Sequence, residues 1–419
     1  MKIVFIAGGK GTRIASVNNE IPKAMIPVNG KPVMEYQVEL AKRYGYTDFI
    51  FVTGHLGDVI RNYFGDGTKW GVKIEYFQET SPLGTAGAMR FLSDLLVDDF
   101  FVFYADTIMD IALDEMLAFH KKNNADATLL VHPNDHPYDS DIIDLDDTGV
   151  IKHIFIKPHP DNFVSRNMVN ASLFILSPKI IKYIPEGHKS DFEKDVFPVC
   201  LADSLKMYGY VSFEYIKDMG TPDRYQSVCR DVDSGRVCRS NRKNKRPAIF
   251  LDRDGVINKE INLLSDASQL ELILGAADAI RLINKAGYLA IVVTNQPVIA
   301  RNLCSIDELN LIHDTLETKL GKEGAYLNAI YYCPHHPDGG YSEERKEYKV
   351  ICECRKPKPG LLLKAADDWN IDMEASYVIG DKISDVGAGI NAGVKHNILI
   401  EQNKDNALLE AVKDIFGCN

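Results

Sequence analysis

Short apolar runs with almost no polar interruption recur along this chain, each followed by a segment long enough for a helix. They include Ile3-Val4-Phe5-Ile6-Ala7, Phe49-Ile50-Phe51-Val52, Phe100-Phe101-Val102-Phe103, Ala248-Ile249-Phe250-Leu251, Leu289-Ala290-Ile291-Val292-Val293 and Tyr377-Val378-Ile379. A strand exposed on one face alternates apolar and polar residues. These runs do not alternate, so both faces must be buried. A parallel sheet with helices packed on either side meets that condition, an α/β doubly wound architecture. Ligands of such sheets bind beyond the carboxyl ends of the strands. The polar residues directly after each run are therefore where chemistry is expected.

Two of the runs open a new unit. Gly8-Gly9-Lys10-Gly11 follows the first, and Asp252-Arg253-Asp254-Gly255 follows the run at 248–251. Between them, residues 231–246 carry Arg236, Arg239, Arg242, Lys243, Lys245 and Arg246 without periodic apolar positions, the composition of a solvated linker. The expected division is a domain over 1–230, a basic linker over 231–246 and a domain over 247–419.

Composition removes several classes of function. No stretch approaches the roughly 18 uncharged apolar residues of a membrane span, and the apolar N-terminus is too short for a signal-peptide core. A cytoplasmic protein with no membrane partner is expected. With 48 basic against 59 acidic residues the net charge is −11, the wrong sign for a general nucleic-acid binder. Phosphate-bearing substrates must then be met by local Lys, Arg, backbone N–H groups or metal ions. Eight cysteines are too dilute for a disulfide scaffold, yet three crowd into 333–354 beside histidines.

The loop Gly8-Gly9-Lys10-Gly11-Thr12-Arg13 can turn tightly enough for successive N–H groups to converge on a phosphate. Ile14 stands where a dinucleotide fingerprint needs glycine, and no Gly-Lys-Ser/Thr completes a P-loop. Pro22-Lys23 follows, then Gln78, Ser81-Pro82-Leu83-Gly84-Thr85-Ala86-Gly87, Ala105-Asp106, Phe155-Ile156-Lys157-Pro158, Asn170-Ala171, Phe192-Glu193-Lys194-Asp195 and Asp218-Met219-Gly220-Thr221-Pro222. With these motifs in this order, residues 1 to about 230 resemble the sugar-phosphate nucleotidyltransferases. The resemblance implies a nucleotide-diphospho-sugar transferase fold, and attack of a sugar 1-phosphate on the α-phosphorus of a nucleoside triphosphate with release of pyrophosphate. It also implies that Gly8, Gly9, Gly11 and Thr12 cradle the nucleotide. Arg13 would hold the departing pyrophosphate, and Lys23 would bridge the α-phosphate and the incoming sugar phosphate. Asp106 and Asp218 would share a Mg²⁺, Gln78 and Gly84 would face the base, and Lys157, Asn170 and Glu193 the sugar and its phosphate. Ile156 departs from the pattern, since many relatives carry Glu there.

In the second half, two aspartates at i and i+2 on an extended turn aim both side chains at one phosphate, so that one can attack phosphorus while the other handles the leaving-group proton. Thr294-Asn295, Arg355-Lys356-Pro357 and Gly380-Asp381-Lys382-Ile383-Ser384-Asp385 follow in order. From about residue 247 to 419 this resembles the haloacid dehalogenase phosphatase superfamily. The resemblance implies Asp252 as nucleophile and Asp254 as general acid, then base for water. Thr294 and Lys356 would bind phosphoryl oxygens, with Asn295 and Arg355 on the sugar-phosphate side. A second Mg²⁺ would be held by Asp252, the Asp254 carbonyl and Asp381, with Asp385 in support. The spacing from Asp254 to Thr294 leaves no room for a cap domain, so the site should be open.

Cys333, His335, Cys352 and Cys354 match a closed tetrahedral Zn²⁺ site that shapes a loop, with His336 as the competing ligand. Cys-x-His, then Cys-x-Cys-Arg-Lys-Pro, resembles the heptose bisphosphate phosphatases, close relatives of histidinol phosphatases. Pro297-Val298-Ile299 departs from their usual Ser-Gly-Ile. Together the resemblances imply two doubly wound (Rossmann-like) domains, the second a capless haloacid dehalogenase-like fold with a zinc-stapled loop. They further imply a bifunctional enzyme of GDP-heptose biosynthesis. It would remove the 7-phosphate of D-glycero-D-manno-heptose 1,7-bisphosphate and then join the heptose 1-phosphate to GMP from GTP. The alternative is a mannose- or other hexose-1-phosphate nucleotidyltransferase fused to a histidinol-phosphate-like phosphatase. Base, anomer and oligomeric state, a homo-oligomer included, stay open.

Overall fold

The computed structural model of the protein describes residues 1–9, 20–340 and 343–418. Its first unit comprises 1–132, 141–157 and 169–241, and its second 133–140, 158–168 and 242–419.

In the first unit the apolar runs pack around Phe5, whose ring meets Phe49, Phe51 and Phe103 edge to face at 5.0–5.3 Å. All four rings are fully buried, so the strands carrying them must lie inside a covered sheet. Four strands are parallel, in the order Phe100–Tyr104, Ile3–Ala7, Asp48–Thr53, Lys73–Gln78. The first strand in sequence has the second and the fourth as neighbours, so the order reverses beside Ile3–Ala7. That reversal opens a crevice at the carboxyl ends.

The sheet is not parallel throughout. Val169–Leu176 adds antiparallel to Phe100–Tyr104 and also pairs with Ala127–His132 and Ile142–Leu145. Its register against Ala127–His132 shifts between Asn170 and Phe174, and Ser172 takes a left-handed φ of 57° there. A separate antiparallel pair joins Thr107–Asp110 to Tyr215–Asp218.

The second unit keeps the expected pattern. Five parallel strands run in the order Ala329–Cys333, Leu289–Asn295, Ala248–Leu251, Tyr377–Gly380, His396–Leu399. In sequence terms this is 3-2-1-4-5, reversing between Ala248–Leu251 and Tyr377–Gly380.

The expected linker is structured. Residues Arg236–Arg239 form a helical turn whose Val237 packs with Ile108, Tyr215, Met219 and Val228. Asn241 is buried and donates to Asp110 Oδ1 at 2.7 Å. Farther on, Arg246 exchanges backbone hydrogen bonds with Asn370 and Asp372. One well-placed valine and a few side-chain amides suffice where no apolar period exists. Residues 133–140 and 158–168 also differ from the expected division, since they group with the second unit. There the Asn167 N–H donates to buried Glu317 at 2.7 Å, and Ser165 and Thr318 exchange hydrogen bonds.

Candidate active sites

Each sheet reversal gathers polar residues that the sequence singles out. In the first unit Gly8 and Gly9 leave the strand Ile3–Ala7, and Ala105-Asp106 leaves its neighbour Phe100–Tyr104. Gly11, Thr12 and Arg13 lie outside the described residues. Lys23 reaches Asp106 and forms an ion pair with its Oδ2. Asp218 ends a strand directly opposite Thr107, and the Met219 N–H donates to the Asp106 carbonyl, so the two acids stand at adjoining ends of one ladder. Asp218 accepts from Arg224 at 2.8 Å and from the Gly220 N–H at 2.6 Å.

Gln78 is held by Thr53 Oγ1 and donates to the Gly54 carbonyl at 2.7 Å. Gly84 adopts φ 79°, and a Cβ there would come within 2.4 Å of the Ser190 carbonyl. Only glycine allows that approach, and the approach matters because the Gly84 loop pairs with the segment leading to Glu193. The Ala86 N–H donates to Ser190, the Ser190 N–H to Leu83 and the Phe192 N–H to Thr85 Oγ1.

Glu193 stands on the wide turn Phe192–Val196, a π-helix of the kind often found at functional sites. Its Oε1 accepts from Tyr104 Oη and from Asn170 Nδ2, both at 3.0 Å. The shifted register of the Asn170 strand supplies the second donor. Burial pushes Glu193 up to about 7. Tyr104 carries no motif; its signal is a hydroxyl ending an apolar strand two residues before Asp106. Lys157 is exposed, and its backbone N–H donates to Asp141.

In the second unit Asp252 follows Ala248–Leu251 and Asp381 follows Tyr377–Gly380, the two strands between which the order reverses. Oxygens of Asp252, Asp381 and Asp385 lie within 4.8 Å of one another. Lys356, fully enclosed, places Nζ 2.8 Å from Asp252 Oδ1 and 2.7 Å from Asp385 Oδ1, and donates to the Val293 carbonyl. Burial alone would lower Lys356, but the two carboxylates hold its ammonium charged above the ordinary range. Burial, then the charge of Asp252, pushes Asp381 up to about 6. Asp381 Oδ1 is buried without a hydrogen-bond partner. Hard oxygen donors this close, one of them unsatisfied, fit a Mg²⁺. Gly255 is required beside them, because at φ 87° a Cβ would sit 2.5 Å from Asp381 Oδ2.

Asp254 sits in a fork of donors. Arg253 Nε and Nη2 donate to its two oxygens at 3.1 and 2.9 Å, joined by Asn258 and Gln296. Thr294 is buried and accepts from Gln296 at 2.9 Å. Asn295 exchanges hydrogen bonds with the Lys356 backbone, and Arg355 donates to the His335 carbonyl.

Beyond the sheet edge, the Sγ atoms of Cys333, Cys352 and Cys354 and His335 Nδ1 lie 3.2–3.7 Å apart wherever a pair is in contact. A tetrahedron with ligands about 2.0–2.3 Å from its centre has edges of roughly 3.3–3.8 Å, so the four atoms fit one Zn²⁺. His335, rather than His336, turns to the thiols.

The molecule thus carries two phosphoryl-handling α/β units, each with acidic groups and a lysine at a sheet reversal. A Nucleotidyl transferase family model matches residues 2–235, and a HAD-hydrolase-like model matches 353–413. The D-glycero-beta-D-manno-heptose-1,7-bisphosphate 7-phosphatase of Yersinia pestis is 40% identical over 158 residues, 38% of this chain and 82% of its own. Its counterpart in Pasteurella multocida is 37% identical over 179 residues, 41% of this chain and 95% of its own. Among solved structures, HddC from Yersinia pseudotuberculosis complexed with GMP-PN has TM-score 0.48 and 25% identity, spanning 55% of this chain and 99% of that one. The chain belongs to the Nucleotidyl transferase family through its first half and to the heptose-bisphosphate phosphatase branch of the HAD-like hydrolases through its second.

Proposed function

We propose a bifunctional enzyme that removes the 7-phosphate of a D-glycero-D-manno-heptose 1,7-bisphosphate and then transfers GMP from GTP to the heptose 1-phosphate, releasing pyrophosphate. The observation that carries this reading is the Asp252–Lys356–Asp385 cluster beside a four-ligand Cys/His loop, within a segment that spans most of the length of known 7-phosphatases.

In the phosphatase half an Asp252 oxygen attacks phosphorus and the bond from phosphorus to the sugar oxygen breaks. Asp254 gives that oxygen a proton, leaving sugar and aspartyl-phosphate. Water then loses a proton to Asp254 as its oxygen attacks phosphorus, the bond to Asp252 breaks and inorganic phosphate leaves. Lys356, with Thr294, holds the phosphoryl oxygens and pairs with Asp252. A Mg²⁺ held by Asp252, Asp381, Asp385 and the Asp254 carbonyl would neutralise phosphoryl charge.

In the other half positioning dominates, since phosphoryl chemistry asks little else of a protein. Lys23 aligns the sugar phosphate with the α-phosphate, and Arg13 holds the pyrophosphate. Asp106 and Asp218 are the candidate holders of the second Mg²⁺. Glu193, steadied by Tyr104 and Asn170, accepts from sugar hydroxyls. A Zn²⁺ in the Cys/His loop is structural, since all four positions are protein ligands. Soluble small molecules are the expected substrates. No helix among the described residues is long and apolar enough to cross a membrane, and we place the chain in the cytoplasm.

The test supplies each anomer of the bisphosphate together with GTP, ATP, CTP, UTP or dTTP. The relatives' names specify the β anomer, which makes the anomer an informative arm. Phosphate release followed by GTP-dependent pyrophosphate release is expected. From the bisphosphate, Asp252→Asn abolishes both releases but leaves pyrophosphate release from supplied heptose 1-phosphate intact, whereas Lys23→Ala abolishes only pyrophosphate release, each by about 10³-fold or more, the scale of losing a nucleophile or a phosphate clamp. Turnover of glucose 1-phosphate with dTTP, and none with heptose and GTP, overturns the reading.

A further inference from the structure

Arg253 has no role in the scheme above, yet among the described residues it is the bulkiest fully buried side chain. A guanidinium taken wholly from water costs several kcal/mol unless it is paired and hydrogen-bonded, so its partners reveal what it is for. Nε and Nη2 fork onto the two oxygens of Asp254 at 3.1 and 2.9 Å, and Nη2 also donates to Gln296 Oε1 at 3.0 Å. Gln296 is 2% exposed. Its Nε2 donates to Asp254 Oδ2 at 2.8 Å and to Thr294 Oγ1 at 2.9 Å. An amide nitrogen has two hydrogens, so both are used. Thr294 Oγ1 receives one of them, which leaves its own O–H to point at a phosphoryl oxygen.

We propose that Arg253 and Gln296 are positioning residues that fix the direction of the Asp254 carboxyl and tie it to the phosphate-binding hydroxyl of Thr294. The fork sets the plane of the carboxyl, because two parallel N–H···O bonds leave a carboxylate no rotational freedom. Gln296 sets its place, since one nitrogen measures Asp254 against Thr294. Phosphate docking on Thr294 and proton delivery from Asp254 are therefore held at one fixed separation. Small misplacements of a proton donor are costly in rate. This inference rests on the reading of Asp254 as the group that protonates the leaving oxygen.

That dependence supplies the test. A sugar alkoxide needs a proton to leave, and p-nitrophenolate does not. Gln296→Leu keeps the side-chain volume nearly constant and removes both ties. Arg253→Lys keeps the charge and removes the fork. For the full chain with Mg²⁺, each variant should lose roughly ten- to hundredfold in kcat/KM on heptose 1,7-bisphosphate, a fraction of the full value of general acid catalysis. The loss on p-nitrophenyl phosphate should be threefold or less. Disturbance of Thr294, or of the fold, lowers both rates together, so the ratio isolates Asp254. Thermal melting of each variant identifies any that fails to fold, and the other variant then carries the test. Equal losses on the two substrates overturn the positioning role and leave the phosphatase reading standing. A wild-type chain inactive on both substrates overturns that reading itself.

Discussion

Glu193 shows how much one buried carboxyl encodes. Removed from water, it holds its proton up to about 7, against an ordinary value near 4.5. The proton is bound more tightly in the folded chain than in the unfolded one. The stability this brings is full below the unfolded value and is lost as pH rises through about 7. Glu193→Gln should therefore melt higher than wild type at pH 8 and no higher at pH 5, by differential scanning fluorimetry. The same variant should raise KM for the sugar 1-phosphate about tenfold, one charge-assisted hydrogen bond, with KM for the nucleotide little changed. A nucleotide KM that rises equally would remove Glu193 from the sugar side. Glu193 is legible in the sequence through its motif. Tyr104 and Gln296 are not, because a hydroxyl at a strand end and an amide after a threonine acquire meaning only from what they touch.

Among elements, the loop 81–87 and the turn 192–196 work as a pair. They are tied by backbone bonds at Ser190 and by the Thr85 hydroxyl, so under the proposed function a change on the base side is transmitted to the sugar side. Gly84→Ala puts a Cβ at a left-handed φ and against the Ser190 carbonyl. A cost of about 1–3 kcal/mol is expected, with KM raised for both the nucleotide and the sugar 1-phosphate. Titration of each substrate at saturating levels of the other checks this, and a rise confined to the nucleotide would uncouple the two elements. The apolar runs and the glycine loop predict the parallel strands well. They do not predict the antiparallel strand Val169–Leu176, since a strand buried between two neighbours reads the same whichever direction they run. Its changing register depends on Ser172 adopting a conformation that composition does not announce.

For the whole molecule, the Cys/His loop sits where it can set the phosphatase site. Cys333 ends a strand beside Asn295, Cys354 lies two residues before Lys356, and Asn295 clasps the Lys356 backbone. Prolonged chelation followed by restored Mg²⁺ should abolish phosphate release, lower the melting of the second unit and leave pyrophosphate release from supplied heptose 1-phosphate and GTP nearly intact. Structural zinc in small domains is worth on the order of 10 kcal/mol. Phosphatase activity that survives removal of zinc, verified by metal analysis, would reduce the loop to a passive ornament of the surface.

Sequence was enough to bring the candidate residues forward. Carboxylates that follow a buried strand emerge at one edge of the sheet, and the motif order that resembles two known families singled out Lys23, Asp106, Asp252, Lys356 and Asp381. Only the tertiary structure decided where the units divide, which histidine joins the thiols, and what Arg253 is for. A linker, a ligand and a fork are each defined by partners far away in sequence, and local pattern holds no record of them.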